Sequence, residues 1–224
     1  MELDTEVLTA SQNKKIMNLF LDYLAIFNDR KVEKINILQY FNYPDENETY
    51  RAKNGVILMR VHRGVKIVFA GSFFKGREYA ENLEEIKEEL LQLLEFGIID
   101  QEVSLTRIDV AQNFKEQKVR RFKSKSPALY EWKKEEIVTG RAWNKRGSDT
   151  VCLRIYLKRF DPNRKSALER FGRVDFLRKE WELGHKVMKK LGYGSLDVYN
   201  IENVDVNYIF RYARNRLNAK ANGV

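Results

Sequence analysis

The chain has 224 residues, 43% of them hydrophobic, with three prolines, one cysteine and a formal net charge of +9. That length holds one large domain or two small intertwined halves, with enough apolar residues for a core. No apolar run reaches the ~18 residues of a transmembrane helix, and the acidic stretch Met1–Val7 lacks the basic-then-apolar order of a signal peptide. A lone Cys152 makes no internal disulfide, so a reducing cytoplasm is expected, with Cys152 as a small buried hydrophobe.

Residues 1–17 are polar and are expected to fray or to form a helix. Leu19–Phe27 reads as a buried strand rich in aromatic and aliphatic residues. Its one acid, Asp22, is either salt-bridged or part of a site. Residues 28–43 fit a short helix as well as a strand, and Tyr43–Glu48 is a loop by its turn chemistry. Gly55–Val61 and Val65–Ala70 flank His62-Arg63-Gly64, which predicts a hairpin. A helix follows over Arg77–Phe96, with Leu83, Ile86, Leu90, Leu93 and Leu94 on one stripe and Gly97 as a stop.

Leu105–Ala111 alternates, placing Arg107 and Asp109 opposite Ile108 and Val110. The segment Lys115–Val138 is basic, with a helix predicted around Pro127–Glu136. Gly140–Asp149 reads as a cation-rich loop or hairpin. Its Trp143 either stacks on an unpaired base or anchors the hairpin. Thr150–Arg159 alternates again, with Arg154, Tyr156 and Lys158 opposite Leu153, Ile155 and Leu157. After a break at Asp161-Pro162-Asn163 and a short helix over 163–170, Phe176–Leu183 places Arg178, Glu180 and Glu182 on one face. His185–Leu191 is helical, Gly192-Tyr193-Gly194 breaks the chain, and a last helix covers Val204–Leu217 before a flexible basic tail, 218–224. The pattern is α+β: two roughly similar halves, a mostly antiparallel sheet, helices packed on one face and an open face beyond.

Charge is concentrated. Residues 115–170 hold 17 Lys/Arg against 7 Asp/Glu, a balance of +10, while the remainder holds 24 against 25, a balance of −1. Such a segment is the footprint of a polyanion binder, against the alternative of a solvated Lys/Glu-rich surface. The Lys and Glu content also hints at a thermophilic source.

No Gly-rich phosphate loop is present. A single cysteine leaves no cysteine cluster for zinc, and the two histidines, His62 and His185, stand apart in the sequence. A metal site must therefore use carboxylates, which favours Mg2+ or Mn2+. If the three alternating strands share a sheet, two carboxylates on neighbouring strands can bind one hard cation, which would polarise a phosphodiester. Arg107, Arg154, Lys158 and Arg178 would hold phosphates, and the Tyr156 hydroxyl would attack phosphorus. A phenol ordinarily titrates near ~10, and cations beside Tyr156 would favour the phenolate. The alternative is an ordinary salt-bridged sheet surface with an amphipathic tyrosine.

Thr106–Val110, Leu153–Lys158 and Leu177–Leu183 resemble the three signature strands of the trans-acting Rep family. These are replication initiation factors of rolling-circle plasmids and phages, related to relaxases of some conjugative elements. Leu21–Ile26, Val68–Gly71 and the leucine helix ahead of the Arg-x-Asp strand match as well, so the resemblance covers about residues 19–192.

It implies a single nicking domain over residues 1–224 and a metal-dependent nicking-closing enzyme. Such enzymes cut one strand of the origin, single-stranded or extruded as a hairpin, and stay linked to the 5′ phosphate through tyrosine. By position, Asp109 and Glu180 would be metal ligands, with Glu182 as third ligand or base. Tyr156 would be the nucleophile, assisted by Lys158. Tyr193, Tyr199, Tyr208 and Tyr212 remain alternative nucleophiles. DNA contacts are expected at Arg107, Arg120, Arg121, Lys123, Lys125, Arg141, Trp143, Lys145, Arg146, Arg154 and Arg178. A homodimer and a host helicase are further expected partners.

The family often has an acid directly after the tyrosine and another beyond the lysine. Leu157 and Phe160-Asp161 occupy those places here. Two readings compete with the enzyme. One is a non-enzymatic origin-binding initiator or repressor using segment 115–170, its carboxylates paired with Arg107, Arg154 and Arg178. The other is an RNA-binding sheet protein with exposed aromatics.

Overall fold

Two long strands, β1 (Leu19–Asn28) and β5 (Glu102–Lys115), form the centre of the fold and pair antiparallel. The computed structural model describes residues 19–74, 79–115, 119, 128–145, 147 and 150–221. The first half adds β2 (Thr49–Arg51), β3 (Ile57–Val61) and β4 (Gly64–Ala70). The second adds β6 (Tyr130–Lys134), β7 (Ile137–Trp143), β8 (Val151–Leu157) and β9 (Phe176–Gly184). A short β10 (Leu196–Asp197) pairs with β5. Among the described residues these strands make one 10-stranded sheet, ordered β2-β3-β4-β1-β5-β9-β8-β7-β6.

The order shows two similar halves. In each, the first strand lies at the centre, the last strand lies beside it, and the preceding strands step outward. Antiparallel neighbours of this kind need only short connections, which the hairpins β3–β4 and β6–β7 supply.

One face of the sheet carries the core. Helix α1 (Lys34–Tyr40) resolves the ambiguous stretch 28–43 in favour of a helix, and it buries Ile37. Helix α2 (Tyr79–Glu95) presents buried Leu83, Ile86, Leu90 and Leu93 at helical spacing. With α4 (His185–Lys190) and α5 (Val206–Ala221) these pack on Leu24, Ile108, Val110, Trp181 and Leu183. A second cluster, Val138, Trp143, Ile155, Leu157 and Leu177, covers the same face further along the second half. Helix α3 (Arg164–Phe171) packs instead on the other face, where Phe171 meets Phe20 and Phe176.

Two local expectations change and one open alternative is decided. The predicted helix around Pro127–Glu136 is the strand β6 and the turn after it. Pro127 itself lies outside the described residues. Lys and Glu favour a helix only weakly, and the backbone bonds that β6 makes with β7 decide the outcome. Gly140–Trp143 is the second half of β7 and pairs antiparallel with β8, so of the two readings of this stretch, loop or hairpin, the hairpin applies. The last helix runs past Leu217 to Ala221. The expectations for residues 1–17 and 222–224 lie outside the described residues.

Gly64 opens β4 at a close approach. A Cβ there would sit 2.1 Å from the Asn28 backbone oxygen. Neighbouring backbone cannot yield as a side chain can, so Gly64→Ala is expected to destabilise by about 1–3 kcal/mol. The check is a lower urea midpoint at unchanged slope.

Candidate active site

The face opposite the core is built from cross-strand rows, because directly paired residues in an antiparallel sheet share a face. One row reads Trp132, Gly140, Tyr156, Arg178 and Asn113. The next reads Tyr130, Ala142, Arg154, Glu180 and Ala111. A third reads Cys152, Glu182, Asp109 and Tyr23. The alternation of β5, β8 and β9 thus brings Asp109, Tyr156 and Glu180 together on one surface.

A cleft of about 910 Å3 lies over this surface. Its floor holds Asp22, Tyr23, Arg107, Asp109, Arg154, Tyr156, Lys158 and Glu180. Arg51 and Lys53 line it from the first half, and Lys165 and Ser166 line it from α3. Cations therefore ring a floor of buried carboxylates.

Those carboxylates are held by arginine. Arg107 donates Nε and Nη2 to the two oxygens of Asp109 at 2.8 and 2.5 Å, and its Nη2 lies 3.0 Å from Glu182. Arg154 donates to Glu180 and lies 3.8 Å from Asp109, so it bridges two carboxylates. The Tyr156 hydroxyl donates to the other Glu180 oxygen at 2.7 Å. Arg178 is 1% exposed. Its Nη1 donates to both oxygens of Asp22 at 2.7 Å, and its Nε donates to Asn113 at 3.1 Å. Lys158 is buried and donates to Asp161 at 2.6 Å.

The proton affinities follow from burial and neighbours. Burial, and next the Glu180 carboxylate, push the Tyr156 phenol well above its ordinary value. The cations beside it do not win, contrary to the expected phenolate. Burial, together with repulsion from Glu180 and Glu182, pushes Asp109 well above the carboxylate range despite Arg107. Asp22 goes the other way. Burial would raise it, but Arg178, Lys158 and Arg170 hold it below its ordinary 3.8.

In kind, the oxygen donors are those a hard divalent cation takes, carboxylates on adjacent strands; burial, and next Glu180 and Glu182, drive one of them, Asp109, toward its protonated form. Arg107 and Arg154 supply the compensating charge. Among the described residues no three His, Cys, Asp or Glu side chains form a ready cage for an ion. The Arg154 Nε is buried and has no hydrogen-bond partner among the described residues.

Other expected site residues separate from this group. Glu182 faces Arg107 and does not line the cleft, so the acceptor at Tyr156 is Glu180. Arg178, expected on phosphate, has its charge neutralised by Asp22 beneath the surface. Trp143 is 6% exposed and sits in the second core cluster. Gly140 and Ala142 take the site face of β7, so parity sends Trp143 and Arg141 to the opposite face and rules out base stacking by Trp143 at this cleft. Arg141 pairs there with Glu131 at 2.7 Å. Lys145 is exposed beyond β7. Arg120, Arg121, Lys123, Lys125 and Arg146 lie outside the described residues. Tyr193, Tyr199, Tyr208 and Tyr212 do not line the cleft; Tyr193 and Tyr212 pack against the core on the helix side.

The sequence reading left Asp22 open and passed over Tyr23. Arg107 lies 4.2 Å over the Tyr23 ring. The available signal was an Asp-Tyr pair inside an otherwise apolar strand.

No family model matches the chain, and no curated protein matches it. Among the solved structures it is similar to that of a rolling circle replication initiator protein from Geobacillus stearothermophilus. The identity is 14%, the TM-score 0.45, and the match covers 84% of this chain and 80% of that one. No role is transferred from a likeness this loose. Among the described residues no helix is long and apolar enough to cross a membrane.

Removing one partner of a buried ion pair strands the other charge. Asp22→Ala is therefore expected to destabilise by about 3–5 kcal/mol at neutral pH. Because Asp22 is held low, its contribution is present above pH 3.8 and is lost as the pH falls through the lower folded value. Urea titrations at neutral and acid pH should show the gap between variant and wild type closing on acidification.

Proposed function

We propose that this chain is a DNA nicking-closing enzyme that starts rolling-circle replication, with Tyr156 as nucleophile. The observation that carries the reading is the 2.7 Å hydrogen bond from the Tyr156 hydroxyl to Glu180, made in a cleft ringed by cations. A tyrosine with a raised proton affinity needs a base in contact, and Glu180 is that base. As Tyr156 Oη bonds to phosphorus, its proton passes to Glu180. The bond from phosphorus to the 3′ oxygen breaks, and the 3′ oxygen takes a proton from solvent. The 5′ phosphate remains on tyrosine, and the free 3′ hydroxyl primes synthesis. The reverse attack closes the strand.

Arg154 lines the cleft with a side chain 23% exposed, and its guanidinium suits a phosphate oxygen. Lys158, fixed by Asp161, adds positive charge at the same floor. Asp109 and Glu180 would hold Mg2+ or Mn2+ in exchange for Arg107 and Arg154, leaving those guanidiniums for the phosphates. When bound, such an ion supplies Lewis-acid polarisation of the phosphodiester.

A second reading has its own observation. The pairing of Asp109 and Glu180 with Arg107 and Arg154 is what a non-enzymatic origin-binding initiator would show. Under it, binding weakens with salt and needs no metal.

The test is a denaturing gel of labelled single-stranded or supercoiled origin DNA with Mn2+. The wild type is expected to give a nicked product with protein attached. Chelator and Tyr156→Phe should each abolish the adduct, a loss of at least about 100-fold. An adduct that survives in Tyr156→Phe moves the nucleophile to another tyrosine. Salt-sensitive binding without cleavage on any cognate origin selects the second reading.

A further inference from the structure

Beside the cleft lies a second cavity of about 530 Å3, lined by Trp132, Lys133, Lys134, Gly140, Arg154, Tyr156 and Phe160 among others. Arg154, Tyr156, Asp161 and Pro162 line both spaces, so the two adjoin at the proposed nucleophile. Small residues lie under the β6 side of the second cavity. Gly140 and Ala142 are the site-face positions of β7, between the larger Trp132 and Tyr130 of β6 and the larger Tyr156 and Arg154 of β8.

Gly140 makes room for an indole. A Cβ there would sit 2.6 Å from Trp132 Cε3 and 2.9 Å from Tyr156 Cβ. The Trp132 ring therefore lies across β7 and reaches the strand that carries Tyr156. A large aromatic on an edge strand is ordinarily covered, yet Trp132 is 43% exposed and Tyr130 is 50% exposed. Lys133 and Lys134 follow directly, and the surrounding segment 115–170 carries the excess of positive charge.

We propose that this trough is a nucleobase subsite for single-stranded DNA, with Trp132 as a stacking platform beside the scissile phosphate. It rests on the nicking reading for its place in the reaction, but not for its chemistry. An exposed indole face accepts any unpaired base, and adjacent lysines meet the backbone. The subsite holds one flanking nucleotide splayed out, so the next phosphate falls at Tyr156. Trp132 is a positioning residue in this scheme.

The experiment uses the full chain and its own fluorescence. Of the three tryptophans, Trp143 and Trp181 are buried at 6% and 5% exposure, so quenching by added DNA reports Trp132. A short oligothymidylate is titrated against an abasic oligomer of equal length, which has the same phosphates and no bases. Only the first is expected to quench. Trp132→Ala should weaken oligothymidylate binding by roughly 5- to 150-fold, with Trp132→Phe restoring most of it. Gly140→Ala, which pushes the indole aside, should weaken it too.

Equal quenching by the abasic oligomer overturns the proposal, as does a Trp132→Ala variant that binds as wild type. The titration requires no cleavage. A chain that stacks DNA on Trp132 but never nicks retires the nicking reading alone, and one that nicks with Trp132→Ala unchanged in binding retires the stacking subsite alone.

Discussion

The Asp22–Arg178 ion pair fixes the polar face on which every functional residue stands. It joins side chains 156 residues apart in sequence, one on β1 and one on β9, across the intervening strand β5. An unpaired charge on a residue as buried as Arg178 would be costly, so this register of the two halves is strongly preferred. Arg178 lies directly opposite Tyr156, and the tyrosine is placed by a strand that the ion pair anchors.

The remaining charges balance more loosely. Asp109, Glu180 and Glu182 crowd together, and two guanidiniums compensate them. Burial, and next the neighbouring carboxylates, leave Asp109 favouring its proton despite Arg107. Under the proposed nicking reading such a surface would exchange partners: a phosphate would take an arginine, and the carboxylate it leaves would take a cation. Asp22 and Arg178 form the rigid part of the face, while Arg107 and Arg154 form the part with alternatives.

Much of this was legible in the sequence because strand alternation is local. Arg107 with Asp109, Arg154 with Tyr156, and Glu180 with Glu182 each follow from period two, and the core stripe of α2 follows from the helical period. The β6–β7 hairpin was not legible. Its turn carries Glu135 at a φ of 54°, without the Asn-Gly or Asp-Gly signal of a tight hairpin, and its lysines and glutamates suit a helix locally. That miss moved two residues. Trp143, read either as stacking on a base or as anchoring a hairpin, is core, whereas Trp132, read as helical, lines the second cavity. Asp22 showed as an anomaly in an apolar strand, but its partner could not be found without the fold, because nothing local links β1 to β9.

The position of β1 has a consequence for how the protein is made. The first of the described strands ends up at the middle of the sheet. Its neighbour β4 follows soon after, so the first half can pair early. Its other edge waits for β5, and Asp22 waits for Arg178 on the last long strand. Until β5 has been synthesised the nascent chain exposes one open edge of β1, and until β9 follows Asp22 lacks its Arg178 partner. The polar cleft therefore assembles late, as a product of the whole chain, and a ribosome stalled before β9 would present a half-sheet on which that cleft is not yet built.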